Sequence, residues 1–221
     1  MKKRIVSLLL AAVCTAALFP SCGEKAPQKS KVDHVYRSRD LGLGDVRTDN
    51  ILANDKTIIV SGTETLGSGS QYVVISVDFS SGTDNLSSVK RVIELSDSES
   101  VSATALEPDG DVLILKSDTN KDGKTTFSLD RLGGDTETIC DDVSSLIESD
   151  GSDSLFDGKD MYLTDLAVDS DGRIYVGCSY AVAVLDSDCG KLFEISVPGR
   201  MDTLSSTADG RVYASFRDNS F

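Results

Sequence analysis

Oxygen-bearing side chains at alternate positions dominate the chemistry this chain could do. Asp118, Asn120 and Asp122 alternate along the run Asp-Thr-Asn-Lys-Asp-Gly that ends at Gly123. Oxygen ligands at the first, third and fifth positions with glycine at the sixth are how a calcium-binding loop begins. Such a loop closes on a bidentate glutamate at its twelfth position, and Leu129 stands there. The same residues suit a plain hairpin, because Asn, Asp and Gly tolerate the left-handed backbone of a tight turn. The hairpin is the expected reading. No resident cofactor is expected, with Ca2+ the one cation the spacing could hold. A second acidic group comprises Asp141, Asp142, Glu148, Asp150, Asp153, Asp157 and Asp160, in a stretch rich in Ser and Gly. It suits a solvated surface loop, or a binding loop, since loops on a rigid scaffold carry much of a protein's binding.

Nucleophilic and redox machinery is sparse. His34 is the one histidine, so no His-rich metal site can form. The chain has no G-x-S-x-G elbow, no phosphate loop and no dinucleotide fingerprint. On these grounds no enzymatic activity is expected. Cys140, Cys178 and Cys189 lie in the body of the chain, and an odd number in an exported protein leaves at least one thiol free or paired with another chain. The chain carries 22 basic and 36 acidic residues, a net charge of −14. That charge repels phosphate backbones, so nucleic acid is excluded as a partner. It also repels an anionic membrane surface.

The first residues indicate export. Lys2, Lys3 and Arg4 precede an apolar stretch from Ile5 to Leu18, with Cys14 inside it. A positive start, a short apolar core and a small residue before the cut make a secretory signal. The stretch is shorter than the ~20 apolar residues of a membrane-spanning helix. Leu18-Phe19-Pro20-Ser21-Cys22 resembles the lipobox of bacterial lipoproteins, although Phe19 stands where that family prefers leucine. The resemblance implies a signal over residues 1–21, cut before Cys22, and a lipid on the Cys22 thiol. Residues 22–33 form a polar tether, and the ordered region is expected over residues 34–221.

That region consists of short strands and turns. TIIVSG from Thr57 and QYVVISVDF from Gln71 are rich in β-branched residues, and VKRVIEL from Val89 alternates apolar with polar, as strands do. One short helix is expected over Asp141 to Glu148. Four stretches repeat a theme: ILANDKTIIVSG from Ile51, ALEPDGDVLIL from Ala105, LAVDSDGRIYVG from Leu166 and STADGRVYAS from Ser206. Each runs strand, polar turn, apolar strand. The turn residues Asp55, Asp109, Asp171 and Asp209 recur every ~40–60 residues, near the period of a propeller blade. A two-residue hairpin is expected at each, because its backbone needs the positive φ that Gly allows.

The segment from Leu163 to Val197 resembles one blade of an NHL-type or two-component-regulator-type β-propeller, whose first hairpin carries D-x-D-G-x-hydrophobic-Tyr/Trp-V. The resemblance implies an all-β fold of about three and a half four-stranded antiparallel blades. That number does not close a ring of four to eight blades, so a chain continuing beyond Phe221 is expected. The alternative is a four-bladed ring completed by the segment around Val32 to Tyr36. Blade geometry separates Cys178 from Cys189 by a strand length, which argues against a disulfide between them. The functional expectation is a lipid-anchored protein on the extracytoplasmic face of the cell envelope. Its propeller would serve as a binding platform for a protein, carbohydrate or peptide. Two alternatives are the propeller part of an ABC-transporter solute-binding lipoprotein and an SMP-30-like metal-dependent hydrolase.

Overall fold

The structure, a computed structural model, describes residues 43–217 apart from 55, 68, 79–86, 149–161, 179, 198 and 208. The signal, Cys22, the tether, His34 and the segment around Val32 to Tyr36 therefore lie outside the described residues. So does Asp55.

Among the described residues, fourteen strands and one helix follow in order. The first sheet contains β1 (Val46–Ala53), β2 (Thr57–Leu66), β3 (Gly69–Asp78) and β4 (Ser87–Ile93). The second contains β5 (Glu99–Leu106), β6 (Val112–Thr119), β7 (Thr125–Leu132) and β8 (Thr136–Cys140), and α1 (Val143–Glu148) follows it. The third contains β9 (Asp165–Val168), β10 (Ile174–Gly177), β11 (Ala181–Leu185) and β12 (Lys191–Ser196). The last described pair is β13 (Arg200–Ser206) and β14 (Val212–Arg217). Each sheet is an antiparallel meander in chain order, three of four strands and one of two. The leading strands β1, β5, β9 and β13 neighbour one another in succession. Successive sheets are thus arranged blade against blade, and the fold is a β-propeller with an incomplete ring, three blades and a half among the described residues.

The apolar pattern explains this packing. Successive side chains of a strand point to opposite faces, so a strand between two neighbours must be apolar on both. In β6, Val112 and Ile114 enter the core shared with blade one, beside Ile59, Val74 and Ile93. Leu113 and Leu115 enter the core shared with blade three, beside Leu166, Val168, Ile174 and Val176. Each such aliphatic, when fully buried, contributes about 1.5–3 kcal/mol. In blade three, Ala167 and Val182 turn the other way, onto Met201 and Leu204 of the half blade. Gly177 permits that contact, because a Cβ there would lie 2.3 Å from Met201 Cε.

The hairpins differ from the two-residue expectation. Glu107 N–H donates to Asp111 O at 2.8 Å and Gly110 N–H to Glu107 O at 3.0 Å, and Gly110 has φ 103°. This is a three-residue loop, a reverse turn followed by one left-handed residue. One glycine suffices here, where a type I′ two-residue turn would need positive φ at both central positions. The short helix begins at Val143, capped by Asp142, whose Oδ1 accepts the Ser145 N–H at 2.9 Å, as an N-cap carboxylate does. At its other end, Lys191 Nζ from blade three donates to Ile147 O at 2.8 Å. No helix of the described residues is long and apolar enough to cross a membrane.

Candidate functional site

The hairpin between β5 and β6 gathers three carboxylates. The turn bonds bring Glu107, Asp109 and Asp111 to one end of blade two, and one oxygen of each lies within 4.8 Å of the others. Glu107 is only 6% exposed, and a buried carboxylate needs a partner. Arg131 supplies it from β7, with Nε 2.7 Å from Oε2 and Nη2 3.0 Å from Oε1. The Glu107 carboxylate, accepting this fork, holds the Arg131 guanidinium above its ordinary range. Arg131 also donates to Ser187 O of blade three at 3.4 Å. Asp109 closes the turn, its Oδ1 accepting the Asp111 N–H at 3.1 Å. Asp111 lies over Gly133, where a Cβ would stand 2.5 Å from Oδ2.

Asp111 also borders a hollow of about 200 Å³ between blades one and two. Ile59, Val74, Val89, Val112 and Leu132 form its apolar lining, and Arg91 and Asp111 both border it. Arg91 Nη1 donates to Gly133 O, which fixes its guanidinium beside the hairpin. The hollow is smaller than the ~300–1,000 Å³ of most ligand pockets, so it suits one small ring and no more.

The sequence candidates are partly brought together. Asp118, at the end of β6, and Asp141, after β8, line one polar hollow with Glu99, Lys116 and Thr138. Lys116 Nζ lies 2.7 Å from Asp130 and 3.8 Å from Glu99, so a cationic group already balances that region. Asn120 anchors the β6–β7 hairpin, its Oδ1 accepting the N–H groups of Asp122 and Lys124 at 2.9 Å each. Asp122 is exposed in that turn. Glu148 ends α1. Asp150, Asp153, Asp157 and Asp160 lie outside the described residues. The grouping of Glu107 with Asp111 was signalled by Glu-Pro-Asp-Gly-Asp, which sequence reading treated only as a blade turn.

Inner-strand polar groups serve the joints between blades. Asn50 of β1 donates through Nδ2 to Thr104 Oγ1 of β5 at 3.1 Å. Asp165 of β9 accepts from the Leu204 N–H of β13 and, at 2.9 Å, from the Leu166 N–H. Burial pushes the Asp165 carboxyl above its ordinary range, against the lowering effect of those hydrogen bonds.

Neither a protein-family model nor a curated protein matches the chain. Two solved structures are similar to it. One, assigned as a gluconolactonase, shares 20% identity over 75% of this chain and 54% of its own, with a TM-score of 0.42. The other is a gluconolactonase from Xanthomonas campestris, described as important in glucose secondary metabolic pathways. It shares 16% identity over 82% of this chain and 57% of its own, with a TM-score of 0.43. The chain therefore spans little more than half the length of either neighbour. At these identities the likeness concerns the fold alone. Both neighbours nevertheless carry the name of an enzyme, and this finding overturns the expectation of a non-enzymatic binding platform. That reading is withdrawn.

Proposed function

We propose that this chain is part of a propeller hydrolase that opens a cyclic ester with the help of a divalent cation held at Glu107, Asp109 and Asp111. The supporting observation is the group of three carboxylates, of which Asp111 borders the hollow between blades one and two. Oxygen ligands ~2.3–2.6 Å from one Ca2+ lie up to ~5 Å apart, and a 4.8 Å spread falls within that reach. All three donors are hard oxygens, the class that Ca2+ and Mg2+ prefer. The bonds from Arg131 and the Asp111 N–H leave acceptor capacity, because each carboxylate offers about four lone-pair sites. A bound cation of this class polarises a carbonyl oxygen. The chain's own residues do the rest. The aliphatic walls exclude water from one side of a small ring, and Arg91 offers a fixed positive group to the carboxylate released when the ester opens.

The first substrate class to test is a sugar lactone, which the neighbours' names carry. Millimolar Ca2+ added to chelator-treated protein should raise Tm by a few degrees, as ligand linkage requires. The protein should also release acid from a gluconolactone faster than buffer alone. Asp111→Asn should lose both effects. A Tm indifferent to Ca2+, with lactone opening at the buffer rate, would sink the reading.

The proposal extends to location. The positive start, apolar core and Cys22 support export and lipid attachment at Cys22, with the propeller held on the extracytoplasmic face of the envelope. Radiolabelled palmitate incorporated by the wild type and not by Cys22→Ser would test it.

A further inference from the structure

Four described hairpin loops end on a left-handed glycine. Gly110, Gly123, Gly172 and Gly210 have φ of 103°, 81°, 80° and 79°, and each donates its N–H to the carbonyl three residues before it. The turn between β11 and β12 makes the same bonds. Cys189 N–H donates to Asp186 O at 3.1 Å and Asp186 N–H to Gly190 O at 2.8 Å. Here a cysteine occupies the left-handed position, with φ 64°, and it is the one non-glycine residue with positive φ among the described residues. A β-carbon there crowds the following carbonyl, and strained non-glycine positions of this kind concentrate where a side chain has a task.

The turn delivers the Cys189 side chain into the core between blades two and three, where it is 5% exposed. Cys140 packs against this same core from the side of blade two. Cys140 is the last residue of β8, on the other blade, and is half-buried. Cys178, buried just after β10, is the third thiol of this core.

We propose that Cys140 and Cys189 form a dithiol–disulfide couple that staples blade two to blade three. The more accessible partner attacks first. Interaction with the Cys189 thiol, helped by the Asp142 backbone, brings the Cys140 thiol down to about 7, against burial and the charges of Asp142 and Asp141. The same pairing pushes the Cys189 thiol up. The Cys140 thiolate attacks the disulfide of a thiol–disulfide oxidant, forming a mixed disulfide and releasing one oxidant thiolate. Cys189 gives up its proton to solvent, attacks Cys140 Sγ and expels the second oxidant thiolate. Two protons and two electrons leave the pair, and the oxidant's disulfide becomes two thiols. The strained turn fixes Cys189 within reach of that second step.

The test uses the full chain and oxidised glutathione, followed by alkylation, digestion and mass mapping. The expected product is one linked peptide pair, Cys140 to Cys189, lighter by two hydrogens. Cys178 should alkylate only after unfolding. Oxidation should raise Tm by roughly 5–10 °C, because the link closes a long loop, and dithiothreitol should reverse the rise. Cys189→Gly puts a relaxed residue at the left-handed position, so it should fold while losing both the link and the redox-dependent change in Tm. Four results would overturn the proposal. Cys140 and Cys189 could both alkylate fully after oxidation of the folded protein. Cys140 could stop at its glutathione adduct. The link could run to Cys178 or to a second chain. Cys189→Gly could retain the redox-dependent Tm change.

Discussion

Blades two and three build the same hairpin and treat its charge in opposite ways. In blade three, Asp169 closes its own turn. Its Oδ1 accepts from the Asp171 and Arg173 N–H groups at 2.9 Å each, and its Oδ2 accepts from Tyr175 Oη at 3.0 Å. In blade two the equivalent residue is Glu107, one methylene longer. Its carboxylate goes to Arg131 of β7, beyond β6 in the sheet, and Asp109 closes the turn instead. One turn is self-contained. It holds its own cation, with Arg173 Nη1 3.4 Å from Asp169 and 3.2 Å from Asp171, whereas blade two has Asp111 at that position and depends on Arg131 from β7. The exchange of Arg173 for Asp111, together with the longer Glu107, therefore separates a charge-balanced hairpin from one with negative charge to spare.

The largest expected effect is at the self-contained turn. Asp169→Ala should lower stability by about 3 kcal/mol in urea unfolding, because two backbone N–H groups, the Tyr175 hydroxyl and the Arg173 guanidinium lose their acceptor at a buried site. A loss below about 1 kcal/mol would show that the turn closes without its side chain. Next, Arg131→Met should cost about 2–3 kcal/mol by leaving the buried Glu107 charge unpaired. Glu107→Gln combined with Arg131→Met should recover part of that loss, and additivity of the two would deny the coupling.

A pH effect sharpens the contrast at the next joint. Blade three carries Asp165 where blade two carries Ala103, four residues before the turn anchor. Asp165 has a folded value raised by burial, so the native state binds its proton more tightly than the unfolded state. Its stabilising contribution is complete below the unfolded value and falls as pH rises through the raised folded one. The stability difference between wild type and Asp165→Asn should therefore decline across that acid window and be flat on either side. A difference that grows with pH there would contradict the burial argument. The smallest effect belongs to the acidic turn. Asp109→Asn should raise Tm by about 1 °C in chelator by relieving like-charge repulsion, and millimolar Ca2+ should reverse the order. An unchanged order would remove the cation from the blade-two hairpin.

Strands were legible because their burial is two-sided. VLIL in β6 and AVAVL in β11 are continuous apolar runs, as strands covered on both faces must be, and the Asp-Gly turns separate them. The three-and-a-half-blade arrangement followed from those turns. The site was less legible, because its partners are distant in sequence. Arg131 reaches Glu107 from β7, and Cys140 and Cys189 come to one core from two different blades, so no local spacing announces either pair. Asn120 shows the converse. Its spacing suggested a ligand, yet its Oδ1 already serves two backbone N–H groups, and a hairpin and a calcium loop begin with the same residues.

The two-sided strand β6 has a consequence for how the molecule comes apart. Val112 and Ile114 belong to one core while Leu113 and Leu115 belong to the next, so neither core can loosen without displacing the backbone that serves the other. Melting should then spread outward from whichever joint yields first, as in nearest-neighbour repeat arrays. Amide hydrogens of β6 should exchange only when both flanking blades have opened, which makes this strand the last to let go.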